Sequence, residues 1–118
     1  MIGRLKSKKN FHLIFREGKK ITGEIITIYY RKRNEDKTNR LGISISSKVG
    51  KAVFRNKIKR WISESLRSIE KSYNKIFYGY DIVVSVKYVE IKHDFYYIKE
   101  SLMKSLKNAK IIIEDELN

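Results

Sequence analysis

Apolar positions along the chain fall into two spacings, and these predict the elements. Ser7 to Glu17 reads as a short helix. Phe11, Ile14 and Phe15 form its stripe, Ser7 is placed to cap its start and Gly18 to end it. "GEIITIYYRKR" reads as a strand rich in Ile, Thr and Tyr, and "NEDKTN" as a turn. "RLGISISS" alternates strictly, sending Leu41, Ile43 and Ile45 one way and Gly42, Ser44 and Ser46 the other. The next helix begins near Val53 to Asn56 and runs toward Tyr73. Ile58, Ile62, Leu66, Ile69 and Tyr73 stack on one side, with Ser65 inside the stripe and Trp61 beside it. "YNKIFYGY" breaks that period, and "DIVVSVKY" is another strand. A last helix spans roughly His93 to Ala109, with Phe95, Ile98, Leu102 and Leu106 as its stripe and Asp94 at its start. The tail "IIIEDELN" suits a short strand or a frayed end equally well.

The predicted order is α-β-β-α-β-α, with room for a small extra strand near Lys20 to Thr22. Alternating strands without long apolar runs imply a sheet covered by helices on one face and polar on the other. A two-layer α/β sandwich satisfies both demands. At 118 residues the chain is long enough for one continuous core, and residues 1–118 are read as a single domain.

Charge changes the picture. Lys and Arg number 27 against 13 Asp and Glu, a formal net charge of +14. Like charges in that excess repel one another unless a polyanion lies opposite. Nucleic acid is the leading partner, and an anionic membrane surface the alternative. Cysteine is absent, so disulfides and thiolate metal sites are excluded and a cytoplasmic location fits. No apolar run is long enough to span a bilayer, and none resembles a signal peptide.

The charge gathers at "GKAVFRNKIKRW", which holds five basic residues and no acid. Opposite the apolar stripe of the second helix, Asn56, Lys59, Arg60, Ser63 and Arg67 fall along one outward strip. Lys48 and Lys51 lie just upstream, Arg55 sits at the first turn, and Glu64 interrupts the run before Glu70. Arg forks onto two phosphate oxygens, Lys supplies a mobile point charge, and Asn both donates and accepts. The helix start leaves backbone N–H groups for an anion. Such a strip suits a phosphate backbone, where contacts position the partner without reading bases. An ordinary solvated face mixes signs, and this one barely does. The regular apolar stripe beneath it belongs to a core-packed helix, which weighs against a membrane.

A second surface is predicted on the polar face of the sheet, from Ser44, Ser46, Ser85 and Lys87. One row of the preceding strand joins it, either Ile25, Thr27 and Tyr29 or Ile26, Ile28 and Tyr30. A first helix packed along the sheet edge would bring Phe11 or Phe15 to the same groove. Rings, hydroxyls and a lysine make a single-strand platform, on which stacking contributes about 1–3 kcal/mol per base. Taken alone, Phe and Tyr at these spacings are core residues more often than platforms.

Side-chain catalysis finds little support. His12 and His93 are far apart, and His12 sits on a predicted exposed flank. Glu35 and Asp36 fall in a turn, and Glu114, Asp115 and Glu116 in the tail; neither group builds a two-metal site. Glu64 and Glu70 suit ion pairs with nearby bases. Gly42 and Gly50 complete no nucleotide-binding loop. The residues favour binding over catalysis.

The segment "KVGKAVFRNKIKRWISESLR" closely resembles the signature of the bacterial ribonuclease P protein component, in Arg55-Asn56, Lys59-Arg60, Glu64 and Arg67. "RLKSKKNFHLIFREGKK", "RLGISISSKVGKAVFRN" and "YDIVVSVK" resemble other parts of that family, so the likeness runs from about Arg4 to Leu106. The resemblance implies a fold like the second domain of ribosomal protein S5, with a left-handed β-α-β crossover against the usual hand. It also implies a division of labour. A catalytic RNA, using Mg²⁺ bound mainly by that RNA and the substrate, hydrolyses one phosphodiester bond to remove the 5′ leader of precursor tRNA. The small protein binds the RNA and the leader and supplies no nucleophile or metal ligand. Its partners would be ribonuclease P RNA and precursor tRNA, with no membrane and no required protein partner. By the same resemblance Arg55, Asn56, Lys59, Arg60 and Arg67 would face the catalytic RNA, and Lys48 and Lys51, just upstream, are read from their position as part of that RNA-binding surface. Phe11, Phe15, Tyr29, Ser44 and Ser46 would line the leader cleft, with Lys87 near its end. Ser63 and Lys87 stand where the family often has Arg. The first offers phosphate no bidentate fork, and the second keeps the charge with different geometry. A general RNA-binding or ribosomal protein of similar fold and an autonomous nuclease are the rival readings.

Overall fold

Isoleucine and valine dominate the strands, and alternation sorts them onto one sheet face. A computed structural model describes residues 2–5, 7–33, 38–73, 78–89 and 94–112. The strands are β1 (Ile2–Arg4), β2 (Lys19–Thr22), β3 (Ile26–Lys32), β4 (Asn39–Ile45) and β5 (Tyr80–Val86). The helices are α1 (Lys8–Glu17), α2 (Ala52–Ser72) and α3 (Phe95–Asn108), with a single 3₁₀ turn at Ser47–Val49. The sheet order is β1-β4-β5-β3-β2. β4 runs parallel to both β1 and β5, while β3 is antiparallel to β5 and β2. A parallel pair needs a crossover, and α2 supplies it between β4 and β5.

One face of the sheet builds the main core. Leu41, Ile26, Ile28, Ile82, Val84 and Val86 pack there against Ile58, Ile62, Leu66 and Ile69 of α2 and Ile98, Leu102 and Leu106 of α3. Full burial of each such side chain stabilises the fold by roughly 1.5–3 kcal/mol. The predicted stripe of α2 is buried throughout, Tyr73 included. The other face carries α1. Ile14 reaches down to Val83, with Leu5 beside it and Phe11 and Tyr29 packed around them.

The helix ends follow local chemistry. Ser7 Oγ accepts a 3.1 Å hydrogen bond from the Asn10 amide, and the Asp94 carboxylate accepts one of 2.9 Å from the Tyr97 amide. Gly18 ends α1, but with φ −76° rather than in the left-handed region. Its role is close approach: an added Cβ would lie 2.5 Å from the Ile14 carbonyl oxygen and 2.9 Å from that of Tyr30. The extra strand near Lys20 to Thr22 is β2.

Three expectations need correction or completion. β1 is an additional strand that has no sequence signal of its own. α1 does not lie along a sheet edge: Phe11 sits over Gly42 of β4, Ile14 over Val83 of β5 and Phe15 against Tyr29 of β3, so the helix crosses the central strands. α3 begins at Phe95 rather than His93, which falls outside the described residues, as do Glu35, Asp36 and Glu114–Glu116 with most of their turn and tail. Residues 74–77, within the segment that breaks the helical period, are also outside them. Among the described residues no helix is long and apolar enough to cross a membrane.

Candidate nucleic-acid interface

The amphipathic period of α2 serves two surfaces. With Ile58, Ile62, Leu66 and Ile69 turned into the core, Asn56, Lys59, Arg60 and Arg67 are all exposed on the opposite side, and Ser63 is half-buried at the margin. Lys48 is exposed in the 3₁₀ turn. Lys51 is the N-cap of α2 and makes no side-chain capping bond, which leaves the first-turn amides to other partners. Arg55 differs from the rest. It is half-buried, and its guanidinium donates to the Gly50 carbonyl, so part of its hydrogen-bonding capacity fastens the turn ahead of the helix. Lys57, off the strip, lies 5.0 Å from the centroid of the Trp61 ring.

The cleft lies on the α1 face of the sheet, and strand register defines its floor. Gly42, Val83, Tyr29 and Lys20 form one cross-strand row beneath α1. The next row is Ser44, Ser85, Thr27 and Thr22, which is hydroxyl throughout. Ser46 and Lys87 continue beyond it, past the ends of β4 and β5. Ser44 and Lys87 are exposed. Ser46 is half-buried: its amide donates to Val86 O at 2.9 Å, and its hydroxyl accepts from the Lys48 amide at 3.2 Å.

Aromatic rings make the wall. Phe15 meets Tyr29 edge-on with centroids 4.7 Å apart, and Phe11 stands 6.4 Å from Phe15. Lys20 Nζ sits 5.9 Å from the Tyr29 centroid. Phe15 remains 42% exposed, whereas Ile14 between them is 1% exposed. One helix therefore gives its apolar centre to the core and leaves an aromatic ring to solvent. The register decides between the two tyrosines: Tyr29 shares the cleft face, and Tyr30 packs toward the main core.

The two surfaces meet at the edge of β4. A groove of about 490 Å³ there is lined by Phe11 and Gly42 from the cleft side, Lys59, Ser63 and Arg67 from α2, and residues of β1. Nothing in sequence spacing announced this junction.

Sequence reading also missed the clasp that fixes α2 to the sheet. Asn39 Nδ2 donates a 2.6 Å bond to Glu70 Oε2, and Asn39 Oδ1 accepts from the Tyr80 amide at 3.0 Å. Asp81, 2% exposed, takes a bidentate contact from Arg40 at 2.6 and 2.7 Å and an ion pair with Arg33 at 2.9 Å. A buried carboxylate needs such partners. The one available signal was an acid opening an otherwise apolar strand. Asp81 and Glu70 are thereby committed to protein cations and amides. His12 is exposed on α1.

Known proteins resemble this chain in sequence and in fold. The sequence profile of the Ribonuclease P family matches residues 3–110. The ribonuclease P protein component of Caldanaerobacter subterraneus subsp. tengcongensis is 34% identical over 113 residues, spanning 96% of this chain and 94% of its own. That of Clostridium botulinum strain Eklund 17B is 38% identical over 123 residues, spanning 98% and 95%. Among solved structures, the RNase P protein of Staphylococcus aureus aligns with a TM-score of 0.78 at 32% identity, covering 93% of this chain and 97% of that one. The RNase P protein from Thermotoga maritima gives 0.74 at 37% identity, covering 89% and 96%. In sequence and in fold alike, the chain belongs to the family of bacterial ribonuclease P protein components.

Proposed function

We propose that this protein binds ribonuclease P RNA through the α2 strip and the 5′ leader of precursor tRNA through the α1-side cleft. In doing so it assists Mg²⁺-dependent hydrolysis at the mature tRNA 5′ end. The observation that carries the reading is the pairing of two unlike surfaces on one fold: a strip with basic side chains far in excess of acidic ones and a cleft of rings and hydroxyls, joined at the β4 edge.

Lys48, Lys51, Arg55, Asn56, Lys59, Arg60 and Arg67 act on phosphates. Their charge replaces condensed counterions, which is why binding should weaken as salt rises. Phe11, Phe15 and Tyr29 offer ring faces and edges to unstacked bases, while Ser44, Ser46 and Lys87 meet sugar and phosphate oxygens. None of these contacts requires a particular base, as suits a leader of varied sequence.

Mg²⁺ is assigned to the RNA and the substrate, where it would polarise the scissile phosphate. Among the described residues the donor set does not fit the ion. Asp81 and Glu70 are buried and engaged, and the described residues contain no group of three His, Asp or Glu side chains able to hold a metal. Lysine and arginine beside the RNA lower the Mg²⁺ needed for assembly by neutralising phosphates themselves.

Cleavage of precursor tRNA by the cognate RNA at low Mg²⁺, with and without this protein, tests the proposal. Faster cleavage and a lower Mg²⁺ requirement are expected. A reaction indifferent to the protein would overturn it.

A further inference from the structure

We propose that the hydroxyl row of the cleft floor, Ser44, Ser85, Thr27 and Thr22, reads the 2′-hydroxyls of the bound strand and so makes the cleft select RNA over DNA. The inference rests on the cleft being the leader site, and it names the group on the strand that the sheet recognises.

Strand register sorts the cleft floor into three bands. Nearest α1 lie Gly42, Val83, Tyr29 and Lys20, with Phe11 over Gly42 and the Phe15 ring against Tyr29. Two residues along each strand come the hydroxyls, one from each of four neighbouring strands. Ser46 and Lys87 follow in the third band. Neighbouring strands are about 4.8 Å apart, so the hydroxyl row extends about 14 Å across the sheet. One side-chain period along a strand, about 7 Å, separates it from the band of rings. Ser44 and Thr22 at its ends are exposed, and Ser85 and Thr27 in its middle are half-buried.

A nucleic-acid strand has three parts in a matching order: base, sugar and phosphate. The helix α1 crosses β4, β5 and β3, so its axis follows the bands. A strand laid beside it sets its bases against Phe11, Phe15 and Tyr29 and its phosphates toward the exposed Lys87. Its sugars then lie over the hydroxyls.

The chemistry of the row decides what it recognises there. It carries no charge, so it suits a neutral group, while a phosphate is better met by lysine or arginine. Serine and threonine hydroxyls both donate and accept. A ribose 2′-OH does the same, and it is the group that separates RNA from DNA. A deoxyribose displaces water from Ser85 and Thr27 and returns no hydrogen bond, which leaves their desolvation uncompensated. The two central residues therefore carry most of the discrimination.

The test uses the full chain and two fluorescent single strands, oligouridine and its deoxyuridine counterpart, which differ only at the 2′ position. The unaltered chain should bind the RNA about tenfold more tightly, the worth of one hydrogen bond. Thr27→Val combined with Ser85→Ala should erase that preference by lowering the RNA affinity, with Tm unchanged, and Thr27→Ser should keep it. Equal affinity of the unaltered chain for the two strands would overturn the proposal, whether or not the variants fold. A preference that survives in the folded double variant would overturn it too. Phe15→Ala separates this proposal from the cleft reading beneath it: both affinities should fall while their ratio stays near ten. If Phe15→Ala weakens both strands but the unaltered chain does not distinguish them, the hydroxyl assignment alone is wrong. If Phe15→Ala affects neither strand, the cleft reading fails and this proposal with it.

Discussion

Asn39, the first residue of β4, donates a 2.6 Å hydrogen bond to Glu70, two residues from the end of α2. The bond joins the sheet to the helix that carries the basic strip. Both residues are buried, at 1% and 9% exposure. Replacing Asn39 with Ala removes a partner from a buried carboxylate and an acceptor from the Tyr80 amide. The expected loss is about 1.5–3 kcal/mol, read as a lower urea midpoint with the slope unchanged. An unaltered midpoint would show that the clasp contributes nothing.

At Gly42 the first helix packs directly on the sheet. A Cβ built there falls 2.5 Å from Cζ of the Phe11 ring. Gly42→Ala must push that ring, and α1 with it, off β4, at an expected cost of about 1–3 kcal/mol. The same substitution should weaken leader binding, because it displaces the wall of the cleft. A crystal structure of the variant with Phe11 unmoved would contradict this account of the glycine.

Arg60 lies exposed in the middle of the α2 strip, so Arg60→Glu should leave the fold intact. The expected effect is on RNA. Affinity falls, and the slope of log K against log salt decreases by about one for each phosphate that is no longer neutralised. Filter binding across a salt series measures both. Identical slopes would move the RNA surface elsewhere.

Phe15 is exposed enough for its removal to cost little stability, about 1 kcal/mol or less from its edge contact with Tyr29. Phe15→Ala should nonetheless weaken binding of leader-bearing precursor by about 1–3 kcal/mol, the worth of one stacked base. Mature tRNA provides the comparison. Equal weakening of both would place Phe15 outside the leader site.

The elements easiest to read from sequence were those whose burial is periodic within the segment itself. Ile58, Ile62, Leu66 and Ile69 announce α2 and, by subtraction, its outer strip. Leu41, Ile43 and Ile45 likewise announce which side of β4 is polar. β1 was illegible because Ile2–Arg4 is a strand only by virtue of pairing with Asn39–Leu41. Tyr29 and Tyr30 are alike in composition, and only the path of α1 across β5 and β3 separates them. The Asn39–Glu70 bond spans 31 positions, and no local pattern encodes such a pairing. Arg55 looked like its neighbours on the strip, and its bond to the Gly50 carbonyl depends on the turn between β4 and α2.

The two-sided use of α2 bears on how such a chain can change over generations. Each residue advances the helix by about 100°. One residue inserted after Ile62 would swing Leu66 into the exposed position of Arg67 and carry Arg67 toward the interior. Substitutions can be absorbed one position at a time, on either side. Insertions and deletions within the helix cannot, because a single frame serves both the oily interior and the phosphate-facing exterior, and any shift corrupts the two together.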